Sequence, residues 1–125
     1  MAFEAQIDDD LEKILILLEY DREKGLARLR RRALIGNKSA IEQLALALSE
    51  ETPITEEAIR WLVIAEQFGS ADAAWNLAMT ARERGNLDDV KKWIDRAASL
   101  GEEDAIKIQK DNYDVEAHLK HLQSL

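Results

Sequence analysis

Apolar residues in this chain recur at helical spacing, and no stretch alternates as a half-buried strand would. Leu11, Ile14, Leu15 and Leu18 fall at i, i+3, i+4 and i+7, which places them on one face of a helix with 3.6 residues per turn. Ile16 and Leu17 widen that stripe, so the first helix is expected to be buried on more than one side. Asp8, Asp9 and Asp10 precede it, and carboxylates are stabilised at the positive end of a helix dipole. The pattern weakens from Asp21 to Gly25. A second helix then carries Leu26, Leu29, Ala33 and Leu34 and is closed by Gly36, a residue that accepts the left-handed turn after a helix. Residues 8–35 thus form a first hairpin.

Asn37 is a good N-cap for a third helix bearing Ala40, Ile41, Leu44, Ala45 and Leu48. The loop from Ser49 to Thr55 holds the only proline, Pro53, which cannot continue a helix. Thr55 caps a fourth helix that runs through Trp61 to Phe68 and stops at Gly69. Ser70 caps a fifth, with Ala73, Ala74, Leu77, Ala78 and Ala81, and Gly85-Asn86 ends it. A sixth starts near Leu87 and carries Val90, Trp93, Ile94, Ala97 and Ala98. Glu102 to Lys110 reads as a shorter helix, and Asp111-Asn112 breaks it. Val115, Leu119 and Leu122 line a last amphipathic segment. The count is about eight helices in one domain, residues 1–125. Residues 36–69 and 70–101 are repeats, and 102–125 are a partial repeat with a cap.

The two central units repeat a phrase. Trp61 and Trp93, Ala65 and Ala97, Gly69 and Gly101, and Ala73 and Ala105 each lie 32 residues apart. A fixed period in this range marks stacked helix hairpins. The predicted fold is therefore an all-α right-handed superhelix, a solenoid of about four hairpins. Alanines at Ala65, Ala73, Ala78, Ala97 and Ala105 let helices approach closely, and Trp61 and Trp93 fill the wider gaps between hairpins.

The phrase resembles the Sel-one-like repeat family, a relative of the tetratricopeptide repeat. Ala58, Trp61, Ala65, Gly69, Ala73 and Leu77 match its pattern. Val90, Trp93, Ala97, Ala98, Gly101 and Ala105 match in the next copy, with valine in place of the first alanine. The resemblance covers roughly residues 36–110. Ala45 and Ala78 stand where the family has a glycine, Leu48 and Ala81 where it has a tyrosine, and the loops differ. The resemblance implies an adaptor or scaffold for protein–protein contacts and names no substrate.

Charge narrows the partner. The formal net charge of -8 argues against general binding to nucleic acid or anionic membrane and favours a basic partner. There is no cysteine, which excludes disulfides and thiolate metal sites. The start shows neither a basic nor an apolar leader segment, and the aliphatic run Ile14–Leu18 is far too short to span a bilayer. A cytoplasmic protein, monomeric when free, is the expectation. No glycine-rich phosphate loop, nucleophile elbow or HExxH motif is present, so no enzyme and no cofactor is expected. His118 and His121 stand at i, i+3, but zinc needs at least three protein ligands, so no metal is expected.

Trp75 is the most informative single residue. It lies off the Ala73, Leu77, Ala81 stripe, and its counterpart one unit earlier is Glu42, a position expected to face water. Met79 follows one turn later, then Arg82, and Trp, Met and Arg are enriched at interfaces. The first helices of such hairpins line a concave surface in related solenoids. Glu42, Leu46, Trp75, Asn76, Met79 and Arg82 are therefore the candidate protein-binding groove. The competing reading is that Trp75 packs against the adjacent unit as ordinary core. Arg28, Arg30, Arg31 and Arg32, with Lys24 and Lys38, form the one basic cluster. It reads either as a site for an acidic peptide or phosphate or, preferably, as a solvated helix face whose cations suit the helix C-terminus. The functional expectation is one dedicated protein partner, with an immunity protein that occludes a basic toxin as the leading case. The alternative is a general adaptor or co-chaperone that holds peptides in its groove.

Overall fold

The computed structural model describes residues 7–125, and among these the chain forms eight helices and no strand. They are α1 (Asp9–Tyr20), α2 (Arg22–Leu34), α3 (Lys38–Ser49), α4 (Glu56–Gln67), α5 (Ala71–Glu83), α6 (Leu87–Ser99), α7 (Glu103–Lys110) and α8 (Val115–Gln123). Each helix packs on the next in sequence, and α3 also packs on α5, so hairpins stack side by side as the repeat requires.

The junctions explain why the helices start and stop where they do. Every helix opens on a side chain that accepts a hydrogen bond from a backbone N–H of the first turn: Asp8, Asp21, Asn37, Thr55, Ser70, Asn86, Glu102 and Asp114. Four of these caps have a second task. Ser70 N–H donates back to the Ala65 carbonyl at 3.1 Å, across Gly69 at φ 95°, which is the Schellman closure of α4. Asn37, Asn86 and Glu102 repeat the same bond to Arg32, Ala81 and Ala97. One residue thus closes one helix and opens the next, leaving no slack between them.

The weakened pattern from Asp21 to Gly25 has a structural cause. Asp21 alone is the break: its N–H donates to the Leu17 carbonyl while its carboxylate caps α2. Gly25 lies inside α2, buried, and a Cβ there would stand 2.8 Å from the Leu18 Cα. The missing side chain lets α1 and α2 close on each other.

The core has two parts that meet at α5. The first gathers Leu11, Leu26, Leu29, Leu44, Leu48 and Leu62 with Ala73 and Leu77 of α5. The second gathers Ala74, Ala78 and Ala81 of α5 with Val90, Ile94, Ala97, Ala105, Ile108 and Val115. Trp93 packs against both, and Trp61 against the first. Two expectations fail. Among the described residues helix α1 is covered on one side: Leu11 and Ile14 are buried, but Ile16, on the face turned away from α2, is 50% exposed. Leu34 is 74% exposed; it is one position round the helix from Ala33, which is buried, and so faces away from the core.

Candidate protein-binding surface

The candidate residues sit on α3 and α5, which pack on each other, but they do not share one groove. Glu42 is only 9% exposed, contrary to the expectation that it faces water. The reason lies in the stacking. Its place in α3 points at the following hairpin, where the Ser70 side chain hydrogen-bonds its carboxylate and Asp72 lies near. Burial pushes the Glu42 carboxyl above the usual carboxylate range; the Ser70 bond opposes this and the charge on Asp72 adds to it. Trp75 holds the equivalent place in α5 and is partly buried against the second core, to which α7 contributes Ala105 and Ile108. Lys107 holds it in α7 and is exposed. The position is thus a contact between units wherever a further hairpin covers it.

Leu46 is half-buried on the first core. Arg82 donates two hydrogen bonds to the Glu116 carboxylate on α8. With Leu119, Lys120, Leu122 and Gln123 it lines a groove of about 630 Å³. The pairing holds Glu116 below the usual carboxylate range. Arg82 therefore faces the last helix and away from α3.

Asn76 and Met79 do come together. They line a cleft of about 110 Å³ between α5 and the α3–α4 loop, with Ser49, Glu51, Thr52, Ile54, Thr80 and Glu83. Its walls are locally fixed: Thr80 Oγ1 donates to the Asn76 carbonyl at 2.8 Å, and Ser49 Oγ to the Leu46 carbonyl at 2.7 Å. Two carboxylates, Glu51 and Glu83, close the cleft from opposite elements. Glu51 lies 3.8 Å from Arg22; Glu83 is exposed and in no ion pair among the described residues. The sequence signal for Glu83 was its i+4 spacing from Met79, and for Glu51 its place in the acidic loop.

The cleft lies on an acidic edge. Arg84 donates to Glu56 at 3.2 Å, which brings the α5–α6 junction beside the start of α4. Glu50, Glu51 and Glu56 on the α3–α4 side and Glu83, Asp88 and Asp89 on the α5–α6 side flank that contact, with Arg22 and Arg84 paired among them and Leu87 79% exposed.

The basic cluster is dispersed. Arg30 donates twice to Glu57 on α4, at 2.9 and 2.8 Å, and Arg32 twice to Asp8, at 3.2 and 2.9 Å. Arg28 and Arg31 stay exposed. Arg96 bridges the outer helices, donating to the Glu66 carboxylate at 2.7 Å and to the Glu66 carbonyl at 2.8 Å. His118 Nε2 lies 2.9 Å from Asp104 Oδ1 and ties α8 to α7. Among the described residues no group of three or more His, Asp or Glu is placed to hold a metal ion, and no helix is long and apolar enough to cross a membrane.

Neither protein-family models nor curated proteins nor solved structures give a match to this chain.

Proposed function

We propose that the chain is a non-catalytic protein-binding module for one dedicated basic partner, and that it acts as an immunity protein that occludes a basic toxin. The observation that carries this reading is the cleft on the acidic edge. Met79 and Ile54 offer an apolar wall, and Glu51 and Glu83 stand at its polar rim. That combination suits a lysine or arginine, whose stem packs on apolar surface while its head seeks charge. Leu87 offers an apolar anchor on the same border. The cleft is the size of one side chain, which favours a single shaped partner over an extended peptide held in a general groove. The resemblance to the Sel-one-like repeat family points the same way, toward protein–protein contact.

The test is capture of a partner from the native organism at low ionic strength, followed by binding kinetics with wild-type protein and with Glu51→Lys/Glu83→Lys. The expected partner is basic, its on-rate falls steeply with salt, and the double reversal abolishes binding. A neutral or acidic partner, or one held equally well by the reversed protein, overturns the reading.

A further inference from the structure

A set of uncommitted cations lies between the first two helices. Asp10, Lys13 and Ile14 of α1 and Arg28, Arg31 and Arg32 of α2 line a groove of about 400 Å³ between the two helices. Arg32 is shared with Asp8 at 2.9 Å. Lys13, Arg28 and Arg31 are exposed and enter no ion pair among the described residues. Arg60, Lys107, Lys110 and Lys120 are exposed and outside any ion pair among the described residues as well; Lys13, Arg28 and Arg31 differ in lining one groove together. Arg22, Arg30, Arg82, Arg84 and Arg96 are all drawn to carboxylates, and Lys38, Lys91 and Lys92 lie over aromatic rings.

Helix α1 also carries an apolar stripe that is left exposed among the described residues. Lys13, Ile16, Leu17 and Tyr20 fall at i, i+3, i+4 and i+7 and share one face of α1. Ile16 is half exposed and Tyr20 is 84% exposed. Cations and apolar side chains thus run side by side. A bare oxyanion would use the arginines and leave the stripe wet. A nucleic acid carries its charge continuously and would have to pass Asp9, Asp10 and Glu12 in the first turn of α1, whereas a helix can set carboxylates opposite the cations and neutral side chains opposite that turn.

We propose that the α1–α2 groove and the adjoining stripe of α1 form a second docking surface, which takes an acidic amphipathic helix of a partner protein. The apolar face of that helix covers Ile16 and Tyr20, and its flanking carboxylates meet Lys13, Arg28 and Arg31. The surface is opposite in sign to the acidic edge and does not depend on what binds there.

The test uses the full chain and a fluorescently labelled synthetic helix, with leucine on one face and glutamate beside it, followed by anisotropy at low ionic strength. Wild-type protein is expected to bind it. Arg28→Glu/Arg31→Glu should weaken binding about tenfold, the sum expected for two reversed surface pairs. Tyr20→Ser should weaken it by about threefold, through lost apolar contact. Lys107→Glu, an exposed cation elsewhere, should change nothing. All these side chains are exposed, so circular dichroism should show wild-type helix content. Failure of wild type to bind, or equal binding by the double reversal, overturns the proposal. So does displacement of the probe by millimolar inorganic phosphate, or tighter binding of single-stranded RNA than of the helix. A face occupied by a second copy of the chain, seen as concentration-dependent mass in ultracentrifugation that Tyr20→Ser removes, overturns it too.

Discussion

The two halves of the core solve the same packing problem with different side chains. Between α1 and α4 the interior sets leucine and isoleucine among alanines: Leu11, Leu29, Leu44, Leu48 and Leu62 are essentially sealed from water, beside Ala40, Ala45 and Ala58. From α5 onward, among the described residues, the second core holds no buried leucine: Ala74, Ala78, Ala81, Ala97 and Ala105 pack with Val90, Ile94, Ile108 and Val115. The large residues there, Trp75, Trp93 and Tyr113, sit at the rim, partly buried. A leucine core stabilises through apolar area removed from water. An alanine core buries less per residue and works by bringing helices close, so the rim and its polar bonds carry more of the load. Tyr113 Oη donates to Asp95 at 2.6 Å, Gln109 to the same oxygen at 2.9 Å, and Arg82 bonds Glu116. The difference predicts opposite sensitivities: the first half should suffer from lost volume, the second from added volume.

The largest effect expected is therefore Leu44→Ala. The residue is fully buried, and truncating such a leucine costs about 3 kcal/mol through lost transfer energy and the cavity left behind. In the second half the telling change is the reverse. Ala97→Leu, also at a sealed position, should cost about 2 kcal/mol by forcing α6 and α7 apart. Urea denaturation measures both. If Ala97→Leu is neutral, the second core has room to spare and the contrast is broken.

Gly69→Val probes the seam between the halves and should cost about 2 kcal/mol, since a β-branched residue is strained at positive φ. The Ser70 bond back to Ala65 depends on that φ. The expected signature in hydrogen exchange is loss of protection at the end of α4 and the start of α5 together, because Ser70 serves both. A change confined to one helix would contradict this shared junction.

Much of this scaffold could be read from the chain. The apolar stripes fell on the helices, and Asn37, Thr55 and Ser70 were legible as caps because a short polar side chain before an apolar run has few other uses. The width of burial around α1 was not legible. Ile16 looks like core in a periodic pattern, yet among the described residues it stays half exposed. The candidate groove failed to form as one surface for a related reason. Position 42 varies among glutamate, tryptophan and lysine across units, which reads as solvent exposure but reflects what each successive hairpin offers it. Partner choices are the least legible of all. Nothing in the run Arg28–Arg32 says that Arg30 will reach α4, Arg32 will reach Asp8, and the other two will stay free.

The second half also invites a local test. Asn112 and Tyr113 both adopt positive φ, at 53° and 62°, and Tyr113 is pinned there by its bond to Asp95 and by Lys91 over its ring at 5.0 Å. Tyr113→Phe removes the bond and keeps the ring. The expected result is faster hydrogen exchange across α8, with α1–α4 unaffected. The Tyr113 and Gln109 bonds hold the Asp95 carboxyl below the usual carboxylate range. Its contribution is therefore present above the ordinary aspartate value of 3.8 and lost as pH falls through the lower folded value. Wild-type α8 should loosen in acid over that window, and Tyr113→Phe should show less of that dependence.

The smallest effect expected has the opposite sign and sits in the first half. Glu42 is the one carboxylate of α3, buried against Ser70 and Asp72. Its folded pKa is raised by burial above the ordinary 4.5, so the folded protein holds this proton to a higher pH than the unfolded chain does. Stability from the neutral form is complete below 4.5 and is lost as pH rises from there through the folded value. Glu42→Gln keeps the shape and a hydrogen-bonding carbonyl for Ser70 but carries no charge. At pH 7 the variant should melt slightly above wild type, and the gap should close as pH falls below 4.5. A variant that melts lower at pH 7, with a deficit that persists in acid, would show that the Ser70 bond outweighs the cost of burying the carboxylate. In that case the contact between successive hairpins at this position would be polar by design in the first half and apolar in the second, where Trp75 takes the same place.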